Sequence, residues 1–306
     1  MTPALGLDLG ASGIRAYLSG AIDSPAQITR AAKESSREQD TINLIEQAFQ
    51  EMGEPSAEAA CLGMSGYAYL DVEPSNIADK IHELFEAKTV VITSDMVTSH
   101  FAHFGQEVGT VVVVGTGTLC FSIGPDSHRR IDGLGAGLGD YGSGYWIGHQ
   151  AMRESVREKE LSGSSEVLKL IEAELGPSDQ WPMKFASHQF STFQIAQLSK
   201  ICAQLAASGN PLAIKIATEA GRLAAESAIA ASKSTGVSDV AFGGSVLGEE
   251  NPVARASFEE TIAAAGLTST AMINAVGQGA LAIAENLDSA RVSFLRDSAL
   301  IFESTK

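Results

Sequence analysis

The chain has 306 residues, of which 44% are apolar and 19% are charged, so it can bury the cores of two globular domains. Its 21 basic residues against 37 acidic ones give a formal charge of −16, and it has no lysine- or arginine-rich run, so binding to nucleic acid or an anionic membrane is not expected. The scattered cysteines (Cys61, Cys120, Cys202) exclude a disulfide framework. With neither a leader-like N-terminus nor an apolar run long enough to span a bilayer, the chain is predicted to be reduced and cytoplasmic.

The first predicted element is a strand–turn–strand hairpin over residues 4–15. Gly10 and Gly13 would let the turn approach a ligand closely, and the hydroxyl of Ser12 adds a donor beside the backbone amides. Such a turn can bind phosphate. Asp8 lies towards the end of the first strand. Its carboxylate would either hold Mg²⁺ beside a bound phosphate or bond to its own backbone, as turn aspartates do.

Helices and strands alternate after this hairpin, which is typical of an α/β protein. Apolar spacing predicts helices near 42–52, 77–85 and 96–104, and strands within 60–66 and 88–95. Asp95 ends the last of these strands and precedes a helix. It is therefore either the N-cap of that helix or, at the carboxyl end of a strand, a candidate general base.

A second hairpin over residues 110–121 repeats the pattern of the first one. Gly115, Thr116 and Gly117 form its turn, which is either a plain hairpin turn or a second phosphate loop. Two similar loops suggest a duplicated fold that holds a nucleotide in a cleft. The restart of the strand pattern predicts a first domain over 1–107 and a second over 108–306, with the last helix packing back on the first domain.

A glycine-dense stretch over 133–144 and then mostly helices complete the chain. The predicted helices lie near 145–161, 194–207, 211–234, 252–265 and 276–286, with a final helix from 288. A strand over 239–243 ends at glycines. There, Gly244 and Ser245 form either a tight turn or a surface on which a flat base lies.

Several familiar motifs are excluded. Residues 137–142 match G-x-G-x-x-G, but no strong strand leads into them, so a dinucleotide site is rejected. The pair His100 and His103 lacks a third ligand for a metal. Neither a Walker A motif nor the protein-kinase motif set is present, so any ATP site must be built without a P-loop.

The order of these motifs resembles the actin, sugar-kinase and heat-shock ATPase superfamily. Within it the chain is similar to the BadF/BadG/BcrA/BcrD-type ATPase family, whose best-known members are N-acetylglucosamine kinases, and the most specific stretch is 139–151. The resemblance implies an α/β fold of two RNase-H-like, actin-like ATPase domains flanking a nucleotide-binding cleft. It also implies ATP and Mg²⁺ as cofactors and a small sugar or amino sugar as substrate, and the chain could form a homodimer.

The resemblance also assigns roles to individual residues. Asp95 would be the general base and Asp8 would hold the metal. The residues implied to bind phosphate or nucleotide are Gly10, Ser12, Gly13, Gly115, Thr116, Gly117, Gly244 and Ser245. The residues implied to bind the sugar are Ser65, Thr116, Gly135 and Asp140, of which Asp140 would either contact the sugar or order its own loop.

Three departures from the family pattern concern the acceptor sugar. Tyr141 replaces the glutamate of the family's Gly-Asp-Glu-Gly-Ser motif. Leu134 replaces the tryptophan of an expected Gly-Trp-Gly. The family's sugar-binding asparagine has no counterpart in the region of Ser35, Ser36 and Arg37. The expected function is ATP-dependent phosphorylation of a sugar or amino sugar, with weaker use of N-acetylglucosamine than is typical. One alternative is an ATPase that activates a redox partner, against which the isolated cysteines argue. Another is a non-catalytic sugar or nucleotide sensor.

Overall fold

A computed structural model describes residues 3–10, 13–20, 25–29, 37–65, 73–273, 276–298 and 300–306. The chain divides into two compact units. Unit 1 comprises Met1–Glu107 and Ile273–Lys306, and unit 2 comprises Val108–Met272.

Each unit begins with three strands, which helices and further strands follow. The first part of unit 1 contains β1 (Ala4–Gly10), β2 (Gly13–Leu18), β3 (Ala26–Thr29), α1 (Arg37–Glu51), β4 (Ala59–Met64), α2 (Pro74–Phe85), β5 (Thr89–Ser94) and α3 (Asp95–Phe104). Unit 2 contains β6 (Gly109–Val114), β7 (Thr118–Ile123), β8 (His128–Asp132), α4 (Gly144–Ser162), α5 (Glu166–Leu175), α6 (Trp181–Ala186), α7 (Thr192–Ala207), α8 (Pro211–Thr235), β9 (Asp239–Gly243), α9 (Pro252–Ala264) and β10 (Thr268–Ala271). The chain then returns to unit 1 with α10 (Val276–Glu285), α11 (Ala290–Asp297) and β11 (Ile301–Thr305).

The sheet of unit 1 is built around β1. Its strand order is β11-β5-β4-β1-β2-β3, in which β1, β4 and β5 are parallel and β2, β3 and β11 are antiparallel to their neighbours. On β1, Leu5, Leu7 and Leu9 are fully buried on one face of the sheet, and Ala4 and Gly6 are buried on the other, as expected for a central strand covered on both faces. On α1, Leu44, Ile45 and Ala48 are buried at helical spacing and belong to the same core.

The sheet of unit 2 repeats this arrangement. Its order is β10-β9-β6-β7-β8, with a β6–β7–β8 meander and β9 and β10 parallel to β6. In both units the first five strands are therefore ordered 3-2-1-4-5, with the same directions. This shared topology confirms the predicted α/β fold with two RNase-H-like, actin-like domains.

The helices α4 to α8 are inserted between the third and fourth strands of unit 2. The longest of them, α8, packs against β6, β7 and β8 through small side chains such as Ala224, Ala228 and Ala231, which are fully buried. At Gly221, on the same helix, the backbone of α9 comes too close to leave room for a side chain. Small residues thus let α8 lie close to both the sheet and α9.

The C-terminal segment belongs to unit 1, with which the residues from Ile273 onwards group. The reason is long-range packing: α10 packs on β1 and α3, and β11 pairs antiparallel with β5. The tail beyond residue 288 is also not a single helix, because α11 ends at Asp297 and β11 follows it.

Candidate active site

The carboxyl ends of three parallel strands bring predicted site residues together in unit 1. Leu9 is in register with Met64, and Met64 with Ser94. The residues that directly follow these three positions therefore lie side by side at one edge of the sheet, and they are Gly10, Ser65 and Asp95. The Ser65 N–H donates a 2.9 Å hydrogen bond to the carbonyl of Leu9, which fixes the chain as it leaves β4.

Asp95 is held at this edge by short-range hydrogen bonds. Its carboxylate accepts from the side chain of Ser65 and from the backbone N–H of Met96, and its carbonyl accepts from Thr98 Oγ1 at 3.1 Å. Ser94, not Asp95, occupies the N-cap position of α3, and its side chain makes no capping bond. The Asp95 carboxylate thus lies within the first turn of α3, bonded to a residue of the neighbouring strand end.

Burial raises the pKa of Asp95 to about 6, and the negative charge of Asp8 adds to the shift. Burial likewise raises the pKa of Asp8, against the opposing effect of Arg15. The charge of Asp8 thus disfavours the charged form of the nearby Asp95, and the two buried carboxyl groups give the site an excess of negative charge. Such a pair favours a bound cation or a proton.

Asp8 lies within β1, two residues before the strand ends, and is in register with Arg15 of β2. Because paired residues of antiparallel strands point to the same face of the sheet, the two side chains meet, with Arg15 Nη1 4.0 Å from Asp8 Oδ2. Gly10, Gly13 and Arg15 also line a small cavity of about 100 Å³ beside Asp8. Sequence reasoning missed Arg15, although its place two residues after Gly13 in the hairpin predicts its pairing with Asp8.

The residues at this edge suit a magnesium ion. Mg²⁺ takes oxygen ligands, usually one or two carboxylates together with substrate phosphates and water, so it does not need a dense protein cage. The buried Asp8 carboxylate, with Asp95 nearby, supplies such ligands and the excess negative charge. Among the described residues, no group of three or more histidine, cysteine, aspartate and glutamate side chains is arranged to hold a metal.

In unit 2 the loop between β6 and β7 offers backbone amides to a ligand. The N–H groups of Gly144 and Tyr145, in the first turn of α4, donate to the carbonyls of Gly115 and Thr116 at 2.7 and 3.1 Å. In the part of the chain that the structure describes, no acceptor lies on the N–H of Thr116 or Gly117. Consecutive free amides in an exposed loop are the feature that binds phosphate oxygens.

Asp140 packs directly against this loop. It is buried, adopts a left-handed φ of 60°, and its Oδ1 accepts a hydrogen bond from the Thr118 N–H at 3.2 Å. A Cβ atom at Gly117 would lie only 2.8 Å from the Asp140 carboxylate, so a larger residue there would displace that side chain. These contacts support the alternative in which Asp140 orders the loop.

A second aspartate, which the sequence analysis missed, ties the glycine-dense stretch to α8. Asp132 has a φ of 62° at the end of β8. Its Oδ2 accepts from the hydroxyl of Ser227 at 2.6 Å and its Oδ1 from the N–H of Tyr141 at 3.5 Å. Because Ser227 is distant in sequence and reaches Asp132 only in the folded protein, no local pattern could have identified the pair.

Two of the positions that depart from the family pattern are exposed. Leu134 is 55% and Tyr141 is 51% exposed, so an aliphatic and an aromatic side chain lie on the surface of the loop region. Gly135, a predicted sugar contact, closes a tight turn: its carbonyl accepts from the N–H groups of Leu138 and Gly139 at 3.2 and 2.9 Å. The left-handed φ of 78° at this turn by itself accounts for glycine at position 135.

Gly244 and Ser245 are exposed and follow β9. Gly244 has a φ of 94°, and a Cβ atom there would lie 2.8 Å from the backbone nitrogen of Val114. The Val246 N–H then donates to the Val114 carbonyl at 3.0 Å. Packing against the end of β6 therefore explains the glycine, as the tight-turn alternative requires, and a role in adenosine binding stays a prediction.

Some predicted residues lie outside the described part of the chain. Ser12 of the first loop is one, and Ser35 and Ser36 are two more. Arg37 lies within the described residues. Its Nη2 donates a 2.7 Å hydrogen bond to the carbonyl of Ser65, which connects α1 to the end of β4 beside Asp95.

Cysteines and histidines show no sign of a metal or redox centre within the described ranges. Cys61, Cys120 and Cys202 are all buried, and burial raises the pKa of the Cys202 thiol to about 12. His100 is buried and its Nε2 lies 3.1 Å from the carbonyl of Glu107, with its pKa lowered to about 3, mainly by burial. As for membranes, no helix in the described ranges combines the length and apolar character needed to cross one.

The duplicated topology, with a glycine hairpin at the start of each unit, is that of the actin-like ATPase fold. A family model for the BadF/BadG/BcrA/BcrD ATPase family matches residues 5–284. The chain belongs to this family.

The similar proteins reported below all carry names of N-acetylglucosamine kinases. The chain is 27% identical over 128 residues to an N-acetylmuramic acid/N-acetylglucosamine kinase of Clostridium acetobutylicum, covering 41% of this chain and 42% of that protein. It is 32% identical over 166 residues to an N-acetyl-D-glucosamine kinase of Dictyostelium discoideum, and the match covers 47% of this chain and 50% of that protein. The chain thus spans about half the length of the curated relatives it matches. The crystal structure of a candidate N-acetylglucosamine kinase from Chromobacterium violaceum has the same fold, with a TM-score of 0.65 and 23% sequence identity. The match covers 92% of this chain and 98% of that one.

We expect the carboxyl group of Asp95 to titrate near pH 6 in the free protein, because burial and the Asp8 charge both favour its protonated form. Replacing Asp8 with asparagine should move the midpoint to lower pH, since the repelling charge is removed. Carbon-13 NMR of aspartate-labelled protein measures both midpoints. An unchanged midpoint in the Asp8→Asn variant would contradict the coupling of the two carboxyl groups.

Proposed function

We propose that this protein transfers the γ-phosphoryl group of ATP to a hydroxyl group of a sugar or amino sugar. The observation that carries the proposal is Asp95, a carboxyl group with a pKa of about 6 at a strand end, next to a second carboxylate and a glycine hairpin. A pKa near the working pH suits a general base. Family membership and the names of the similar proteins support the same reaction.

In the proposed reaction Asp95 accepts the proton of the sugar hydroxyl while the hydroxyl oxygen bonds to the γ-phosphorus and ADP leaves. Ser65 and Met96 hold the carboxylate in place through their hydrogen bonds. The free N–H groups of Thr116 and Gly117 donate to phosphate oxygens, and Gly10, Gly13 and Arg15 form the contacts from the first hairpin.

Asp8 is the residue proposed to hold Mg²⁺. When bound, the ion neutralises phosphate charge and orients the transferred group. Asp140 and Asp132 act at a distance from the reacting atoms. Asp140 fixes the loop that carries the Thr116 and Gly117 amides, and Asp132 fixes the backbone at Tyr141.

An ADP-release assay over a panel of sugars tests the proposal. The panel contains glucose, glucosamine, N-acetylglucosamine, N-acetylmannosamine and N-acetylmuramic acid, each measured with and without Mg²⁺. At least one sugar should stimulate ADP release, and the stimulation should require the metal. If no sugar in the panel does so, sugar phosphorylation is not supported.

The same assay tests substrate preference. We expect kcat/KM for N-acetylglucosamine not to exceed that for glucosamine, because Tyr141 and Leu134 replace side chains expected to contact the sugar, and a polar site that loses its partner groups loses much of its specificity. A clear preference for N-acetylglucosamine over every other sugar would show that these replacements do not alter the acceptor site.

A further inference from the structure

A cavity of about 540 Å³ lies within unit 2, between α4 and the segment that leads from residue 178 into α6. Its size is in the range of sites for small organic molecules. The apolar part of its lining consists of Met152, Val156, Trp181, Pro182 and Phe185. None of these residues takes part in the proposed phosphoryl transfer.

The α6 side of the cavity is held in place by contacts with the end of α5. The indole N–H of Trp181 donates to the carbonyl of Gly176 at 2.9 Å, and Lys184 Nζ donates to the carbonyl of Leu175 at 2.8 Å. Two of the lining residues contact each other: the ring of Phe185 meets the ring of His149 edge-on, with 6.1 Å between the ring centroids. The aromatic walls are therefore already positioned before any ligand binds.

The charges around the cavity leave one cation without a counter-ion. Of the two glutamates that line it, Glu154 is paired with Lys215 at 3.6 Å and Glu160 with Arg157 at 3.4 Å. Arg153 also lines the cavity and is exposed, and no carboxylate among the described residues lies within ion-pair distance of it. In a chain with a net charge of −16, an arginine without a counter-ion beside aromatic side chains favours the binding of an anion at this place.

We propose that this cavity binds a small organic anion that carries an aromatic ring. The ring packs against Phe185 and Pro182, the exposed apolar residues of the lining, with the buried Trp181 beneath them, and the carboxylate forms a bidentate ion pair with the guanidinium of Arg153. The aromatic walls favour an organic molecule over an inorganic anion, and the unpaired cation favours an acid over its neutral or cationic relatives.

The test uses 3-phenylpropionate, its neutral amide and 3-phenylpropylamine as probes. Trp181 reports binding by fluorescence in a Trp146→Phe variant, because the chain has only two tryptophans and Trp146 does not line the cavity. Saturation-transfer NMR with the unmodified protein gives a second measurement that does not depend on this variant. The acid should bind saturably, the amide about tenfold more weakly because it lacks the charge-assisted bond, and the amine not at all.

Arg153→Gln should reduce the affinity for 3-phenylpropionate to that of the amide and leave amide binding unchanged. Lys200→Gln, which removes one positive charge from the exposed surface of α7, serves as the matched control and should bind the acid normally. The proposal is overturned if the acid shows no saturable binding up to about 10 mM. It is equally overturned if Arg153→Gln binds the acid as tightly as the unmodified protein, or if the amide binds as tightly as the acid.

Discussion

Asp95→Asn is expected to lower turnover by on the order of 10²–10⁴-fold, the usual contribution of a general base, while a non-hydrolysable ATP analogue still binds. Asparagine keeps the shape of the side chain and can still accept the hydrogen bonds of Ser65 and Met96. It cannot take up the proton of a sugar hydroxyl. Steady-state kinetics and calorimetric titration with the analogue measure the two effects separately.

The same variant should be more stable than the unmodified protein at pH 7. The folded-state pKa of Asp95, about 6, lies above the value of about 3.9 expected for an unfolded chain. Charged Asp95 therefore costs folding free energy, a cost that grows as the pH rises from about 4 to 6 and that the asparagine removes. Tm should rise at pH 7 and differ little at pH 4.

Asp126→Asn, an identical change in an exposed turn, is the control and should alter neither turnover nor Tm. A residue that only stabilises the first turn of α3 would behave in the opposite way to our expectation for Asp95. Near-normal turnover with a lower Tm in Asp95→Asn would return Asp95 to that structural role.

Asp8→Ala is expected to lower kcat/KM for Mg·ATP by on the order of 10²-fold or more, because the phosphate charge would lose its ordered counter-ion. The dependence of activity on Mg²⁺ concentration should move to higher concentrations in the variant. Burial raises the pKa of Asp8 in the folded protein, so removing its charge should not unfold unit 1. Activity measured against Mg²⁺ concentration, together with Tm, checks both statements.

Asp126→Ala provides the matched control for this change as well. If Asp8→Ala retained both the turnover and the Mg²⁺ dependence of the unmodified protein, Asp8 would be only the partner of Arg15 on the sheet. That outcome would leave the role of Asp95 as a base to be judged on its own variant.

Strong local patterns were sufficient to predict most of the elements around the site. The apolar run of β6, the two hairpin turns and the helical spacing of α1 and α2 all depend on residues close together in sequence. The short edge strands β3, β8 and β10 were missed, because their exposed residues weaken the apolar alternation that marks a strand. β11 was missed for another reason: its partner β5 lies about 200 residues earlier in the chain.

By itself, the sequence determined the glycine turns, the strand that ends just before Asp95 and the family, because each of these depends on neighbouring residues. Only the tertiary structure decided which charges meet. The effect of the Asp8 charge on the pKa of Asp95 depends on the register between strands that are distant in sequence. The hydrogen bond from the Thr118 N–H to Asp140 likewise depends on a loop that folds back on the β6–β7 hairpin. Electrostatic coupling depends on distance and burial, and neither can be read from sequence spacing alone.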